Sequence, residues 1–405
     1  MTILHRLLIL LLVSIMVRML DIKQKYFPVL VVLVLLGIGL SFIPMFSDFS
    51  VASDVLYEVF IPGLLFVSAY QFSAKAFKSN APVIITLATI GMLSTVFLLG
   101  IGIYYTAALI HPLTWNISLL LAAILVPTDP VSVVNILKKS NGVDEIADIV
   151  EGESMLNDGT SIVMFTIVLS MVETDGGFSI LYFLQEFLIV SSGGVVVGLL
   201  TGWLLSKLLH FTSHPDYLVM LSVLTAYGSF LLAEYFGFSG VLATVISGIV
   251  LSFAFVKKET EIEKETRNHL NIFWNILNPI LTSILFLLIG IQATPYLKFN
   301  QWLLAFMVFL LSVLARTIIV FSLMSIFPNW RKTLFRNKIL NFLLLSWAGI
   351  KGSMSVVLLL WTVNSSVGNQ NLVISIAFSA ILISFVLQSM GVYPLTLLLK
   401  KVESK

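Results

Sequence analysis

LVPTDPVSV, residues 125–133, falls inside an apolar stretch of membrane-helix length and breaks it with two prolines around Thr128 and Asp129. Proline has no amide proton and biases the residue before it away from helix, so the backbone is expected to open between Pro127 and Pro130. Opened backbone at membrane depth is tolerated only where protein buries it or a wet cavity receives it. There the freed carbonyls and the Thr128 hydroxyl can ligate a cation, while Asp129 stands beside the positive N-terminal end of the half-helix that follows.

The surrounding chain is built for a bilayer. Of 405 residues, 58% are hydrophobic and 11% are charged, whereas a soluble domain is about 45–50% apolar. The fold class expected is an all-α polytopic membrane protein. Apolar runs fall at about 2–20, 28–43, 55–72, 82–110, 116–138, 150–172, 179–209, 216–235, 239–256, 269–293, 301–327, 339–363 and 371–399, which predicts 13 transmembrane helices. The first, TILHRLLILLLVSIMVRML, lacks a small-x-small cleavage site and carries Arg18 near its end, so it reads as a retained span rather than a signal peptide.

The basic residues set the orientation. With the N-terminus outside, nineteen of the 23 Lys and Arg fall on one set of alternate connections, which the positive-inside rule makes cytoplasmic. Arg6 and Lys298 fall on the other side, where the connections at 44–54 and 173–178 carry acids; Arg316 and Lys351 lie inside predicted spans. A multi-pass protein of the cell membrane with a cytoplasmic C-terminus is expected.

Thirteen spans divide into six, one and six. This gives one membrane transport domain over 1–399, with a first inverted repeat over about 1–178, a linker helix at 179–210, a second repeat of opposite topology over 211–399, and a short tail at 400–405. The fifth span of the second half contains WAGIKGSMS, residues 347–355, where Gly349 and Gly352 disturb the helix as the prolines do in the first half. Interrupted helices at matching positions of two halves point to a transporter's binding site. Lys351 is placed to compensate the negative C-terminal ends of the half-helices.

The sixth span opens on EGESMLNDGTSIVMF, residues 151–165. A charge at mid-bilayer costs roughly 2.5–3.5 kcal/mol on insertion scales, so its carboxylates are functional candidates. On a helix Glu153 and Asn157 share a face and Asp158 is turned away by about 100°. Arg316, in LLSVLARTIIVF, is the natural counter-ion for one acid. Glu153 and Arg316 are expected to form a structural ion pair, leaving Asp158 to carry the ion; Glu151 is expected as an exposed carboxylate at the helix start.

GESMLNDGTSIV, PTDPV, LARTIIV and SWAGIKGSMS together resemble the sodium/proton exchangers of the monovalent cation:proton antiporter family, in its Asn-Asp, electroneutral branch. The apolar pattern from about residue 28 to 399 fits throughout. The resemblance implies a homodimer in which a dimer domain supports a mobile six-helix core with two crossed, interrupted helices. It implies that Asp158 binds cation or proton, that Ser154 and Thr128 help ligate the ion, that Asn157 orders the site, that Glu153 pairs with Arg316, and that Asp129 and Lys351 compensate the crossed half-helices. Two positions depart from the family pattern: Val67 stands where relatives often have an acid, and Lys351 replaces an arginine, keeping the charge without the planar fork.

The function expected is secondary antiport of a monovalent alkali cation (sodium or lithium, with potassium admitted by Val67) for protons, by alternating access at one carboxylate and one for one. A cation channel or a transport-inactive sensor on the same fold is the alternative. An enzyme is not expected. The chain has no cysteine, and His111, His210, His214 and His269 fall at predicted helix ends, which leaves Ser154 without a base to activate it. No cofactor and no nucleic-acid partner are called for; the lipid bilayer is the medium.

Overall fold

The computed structural model describes residues 3–20, 29–47, 49, 51, 55–129, 134, 137, 144–174, 177–208, 214–255, 261–297, 299–326, 338–363, 365 and 368–403. Regular structure among them is helical throughout. In chain order the helices are α1 (Ile3–Leu20), α2 (Val29–Ser41), α3 (Leu56–Gln71), α4 (Ala74–Ala107), α5 (Trp115–Leu125), α6 (Asp144–Glu173), α7 (Ile180–Leu208), α8 (Pro215–Tyr235), α9 (Gly240–Ala254), α10 (Glu261–Ala293), α11 (Trp302–Ile326), α12 (Lys338–Trp347), α13 (Ser353–Val363) and α14 (Gln370–Glu403). Among the described residues, 7 helices have the length and composition to cross a membrane.

Several helices outrun the apolar stretches that predict them. α6 starts at Asp144 and draws Glu145, Asp148 and Glu151 into the helix, where acids near the N-terminus complement the helix dipole. Glu151 is therefore not the exposed helix-start carboxylate expected; it is partly buried, two turns into α6. α10 likewise begins at Glu261, which puts His269 inside a helix rather than at its end, and α14 continues through Lys400 to Glu403. Hydropathy sees only the apolar part of such a helix. Pro130, Lys298 and many of the basic connection residues (Lys23, Lys25, Lys138, Lys139, Lys257, Lys258, Arg331, Lys332, Arg336, Lys405) lie outside the described residues.

The chain divides into two compact units, one formed by Met1–Lys78 and Leu184–Thr294, the other by Ser79–Phe183 and Pro295–Lys405. In the first, glycines bring backbones together, the small-residue mode of packing available to helices in lipid. A Cβ on Gly37 of α2 would lie 2.9 Å from the Gly290 Cα of α10. Along α7, Gly198 and Gly202 lean on α9, where added Cβ atoms would stand 3.0 Å from the Ala243 Cα and 2.9 Å from the Ser247 Cα. Phe66, Val67, Tyr70 and Trp274 share one buried cluster, so Val67 is a packing residue within this unit. Gln71, one turn further on, donates through Nε2 to Asn275 Oδ1 at 2.9 Å, tying α3 to α10.

The second unit holds both interrupted segments. Thr114 caps α5, its hydroxyl accepting from the Ile117 amide at 3.4 Å. From there an almost wholly buried helix runs to Leu125 and stops before Pro127. α12 stops at Trp347 and α13 resumes at Ser353, so the second break falls where the glycines place it, and α5 ends as Pro127 predicts; the far side of the first break lies outside the described residues.

Candidate ion-binding site

The two breaks are joined backbone to backbone. The Asp129 amide, freed because no helix runs through it, donates to the Ile350 carbonyl at 2.8 Å. Ser355, in the first turn of α13, donates to the Pro127 carbonyl at 3.3 Å. Each opened segment thus satisfies groups that the other leaves without a helical partner, as buried backbone requires. Gly349 and Gly352 make the approach possible. A Cβ on Gly349 would lie 2.6 Å from Arg316 Nε, and one on Gly352 would overlap the Asp129 Cβ and stand 3.0 Å from its Cα. Gly352→Ala is expected to destabilise the protein by about 1–3 kcal/mol, because backbone must move to admit the methyl. Gly228→Ala in α8, where nothing lies within 4 Å, is expected to be neutral or stabilising by up to ~1 kcal/mol. Melting of the two purified variants checks the contrast.

One face of α6 closes over the first break. Ser154 donates its hydroxyl to the Thr128 carbonyl, and Asn157 Nδ2 donates to Thr128 Oγ1 at 2.9 Å and to Glu153 Oε1 at 3.4 Å. Thr128, Glu153, Ser154 and Asn157 are all buried. Arg316 of α11 forks onto Glu153, with Nη1 to Oε1 at 2.9 Å and Nη2 to Oε2 at 2.6 Å. This is the bidentate geometry that favours arginine over lysine. Glu153, Asn157 and Arg316 also line a small cavity walled by Leu87, Gly91 and Thr95 of α4. The Asn157 Oδ1 atom is buried there with no hydrogen-bond partner among the described residues.

Asp158 takes no share in the ion pair of Glu153 and Arg316. It is partly exposed while its neighbours are buried, and the charges of Asp129 and Glu153 both act on it. Lys351 is buried, within electrostatic reach of Arg316 and Glu153, and its amide donates to Ser384 Oγ at 3.0 Å. All eight residues assigned to the site from the sequence therefore fall in the second unit, which holds the two breaks. Four participants escaped that reading. Ser355, Ser384 and Gln388 read as ordinary polar residues in apolar helices. Thr160 donates to the Ala88 carbonyl at 2.8 Å, on a π-helical turn at Leu87–Gly91 that hydropathy does not register.

Seven long apolar helices among the described residues, with shorter apolar helices that end in open backbone where carboxylates, hydroxyls and carbonyls gather, define a polytopic membrane transporter. The chain is 29% identical over 387 residues to the Na(+)/H(+) antiporter NhaG of Bacillus atrophaeus, covering 92% of this chain and 70% of that one. It is 29% identical over 402 residues to the Na(+)/H(+) antiporter NhaH of Halobacillus dabanensis, covering 96% of each. Its fold matches the structure of the sodium proton antiporter MjNhaP1 from Methanocaldococcus jannaschii at pH 8, with TM-score 0.75, 20% identity and 97% of each chain covered. Residues 7–398 match the family described as sodium/hydrogen exchanger, transmembrane, and the chain belongs to that family. It is a transporter, not an enzyme.

Proposed function

We propose that this chain exchanges sodium or lithium for protons, one for one, at Asp158, with potassium as a further cation to be tested. The observation that carries the reading is the division of labour between neighbouring acids. Glu153 is committed to Arg316 through two short bonds, while Asp158, facing elsewhere on α6, is outside that pair. Thr128 is held through both its carbonyl and its hydroxyl by Ser154 and Asn157, so two oxygens are ordered before an ion arrives. Proton and cation compete for one negative charge. Exchange follows if the protein reorients when Asp158 is neutralised and not when it is bare.

The 13-span count, the inverted repeats about a linker at 179–210, the external N-terminus, the plasma-membrane location and the homodimer belong to the same proposal. They are supported by the alternation of basic residues and by the family.

A cycle that moves one cation against one proton transfers no net charge. Any uncompensated charge would couple to voltage at ~2.3 kcal/mol per 100 mV. In proteoliposomes with the potential clamped by an ionophore, sodium-driven proton movement is therefore expected to be unchanged between zero and strongly polarised membranes. A steep voltage dependence would exclude one-for-one exchange, and sodium flux without proton counterflow would make the protein a channel.

A further inference from the structure

α14 carries a clamp that stands in for a missing helical hydrogen bond. Were α12 to continue into α13, the Lys351 amide would donate to the Trp347 carbonyl, the i to i−4 bond of an α-helix. Instead the Lys351 amide donates to Ser384 Oγ at 3.0 Å, and the Trp347 carbonyl accepts from Gln388 Nε2 at 3.1 Å. Ser384 in turn donates its hydroxyl to Gln388 Oε1. The two side chains, one turn apart and both buried, are thus inserted in series between the donor and acceptor of the broken bond. A second bond fixes the arrangement: Trp347 Nε1 donates to the Gln388 carbonyl at 3.1 Å. The indole also packs on Gly391, where a Cβ would lie 2.6 Å from Nε1.

We infer that Ser384 and Gln388 are positioning residues that hold the 348–352 segment open and thereby set the ion site through the contact of Ile350 with Asp129. The route is short. Ile350 sits between the two clamped residues, and its carbonyl receives the amide of Asp129, the neighbour of Thr128. With the clamp gone, the part-buried Trp347 carbonyl and the buried Lys351 amide lose these partners unless they pair with each other. Pairing them rewinds the segment and draws Ile350 away from Asp129. The cost then falls on placement of the Thr128 oxygens, which is a cost in cation affinity. This inference rests on the proposed role of Asp158 and Thr128 in binding the ion.

The test uses the full chain in proteoliposomes, titrating sodium against the initial rate of proton movement in wild type, Ser384→Ala, Gln388→Leu, Gln388→Met, the Ser384→Ala/Gln388→Leu double variant and Asp158→Asn. Gln388→Met keeps the length of the side chain but brings no N–H or O–H donor to the Trp347 carbonyl and no charge to the buried site, so it serves even if the leucine variant does not fold. Gln388→Met and Gln388→Leu are expected to raise half-saturating sodium about tenfold with the maximal rate within about twofold of wild type. Ser384→Ala is expected to shift it in the same direction. The Ser384→Ala/Gln388→Leu double variant is expected to be no worse than Gln388→Leu alone, since both act through one chain of bonds. Unchanged half-saturation in Gln388→Met, whether or not yield and melting temperature fall, would reduce the clamp to packing and overturn the inference. Exchange retained in Asp158→Asn would instead overturn the ion-site reading on which it rests.

Discussion

Asp158→Asn is expected to bring sodium-driven proton movement down to the level of protein-free liposomes while leaving the protein folded. The amide is nearly isosteric with the carboxylate, but it has no proton to release at working pH and no negative charge to offer a cation. Both halves of the competition disappear together. Folding is expected to survive because Asp158 has no share in the ion pair of Glu153 and Arg316. Asp129 and Glu153 are like charges acting on it, so neutralising the side chain removes a repulsion. The melting temperature of Asp158→Asn should therefore equal or exceed that of wild type. Activity lost with stability kept separates a transport role from a structural one.

Arg316→Ala is expected to show the opposite pattern, failing in folding before transport can be judged. Removing one partner of a buried ion pair leaves the other charge uncompensated, at a cost of about 3–5 kcal/mol. Folding stabilities run to about 5–15 kcal/mol, so a loss of this size should cut the yield of monodisperse protein severely. The space under Gly349, which Arg316 fills, adds a cavity term. Two companions locate the cause. Arg316→Lys keeps the charge but cannot span both Glu153 oxygens, and should lose part of the stability. Arg316→Ala combined with Glu153→Gln should recover part of it, because no buried charge then stands alone. Size-exclusion profiles and melting curves of the detergent-solubilised variants check the order: wild type, Arg316→Lys, the double variant, then Arg316→Ala.

What was legible in the sequence is what rarity makes visible. Arg316 and Glu153 are conspicuous because so few charges occur inside the apolar stretches, and pairing them needs no knowledge of the fold beyond lipid's intolerance of lone ions. The break at Thr128 and Asp129 was announced by Pro127 and Pro130, and the second by Gly349 and Gly352. The glycines did not announce their second role, which is to admit the Arg316 side chain and the Asp129 backbone. The bond from the Asp129 amide to the Ile350 carbonyl was invisible, since a backbone contact leaves no side-chain signature at either end. Ser384 and Gln388 escaped for a related reason: a serine or glutamine in a membrane helix has many ordinary uses, and only the position of the broken helical bond gives these two theirs. Helix starts such as Asp144 were missed because a helix continues into water wherever capping and charge permit.

Proton release on cation binding, measured on detergent-solubilised protein in weakly buffered solution, separates binding from every later step of transport. Adding sodium to wild type at a pH low enough to keep the site mostly protonated should release about one proton per sodium bound, because the cation then displaces the proton it competes with. Asp158→Asn should bind no sodium by this criterion and release nothing, although it is fully folded. Proton release of undiminished size from Asp158→Asn would place the exchanging group elsewhere and contradict the assignment of the site.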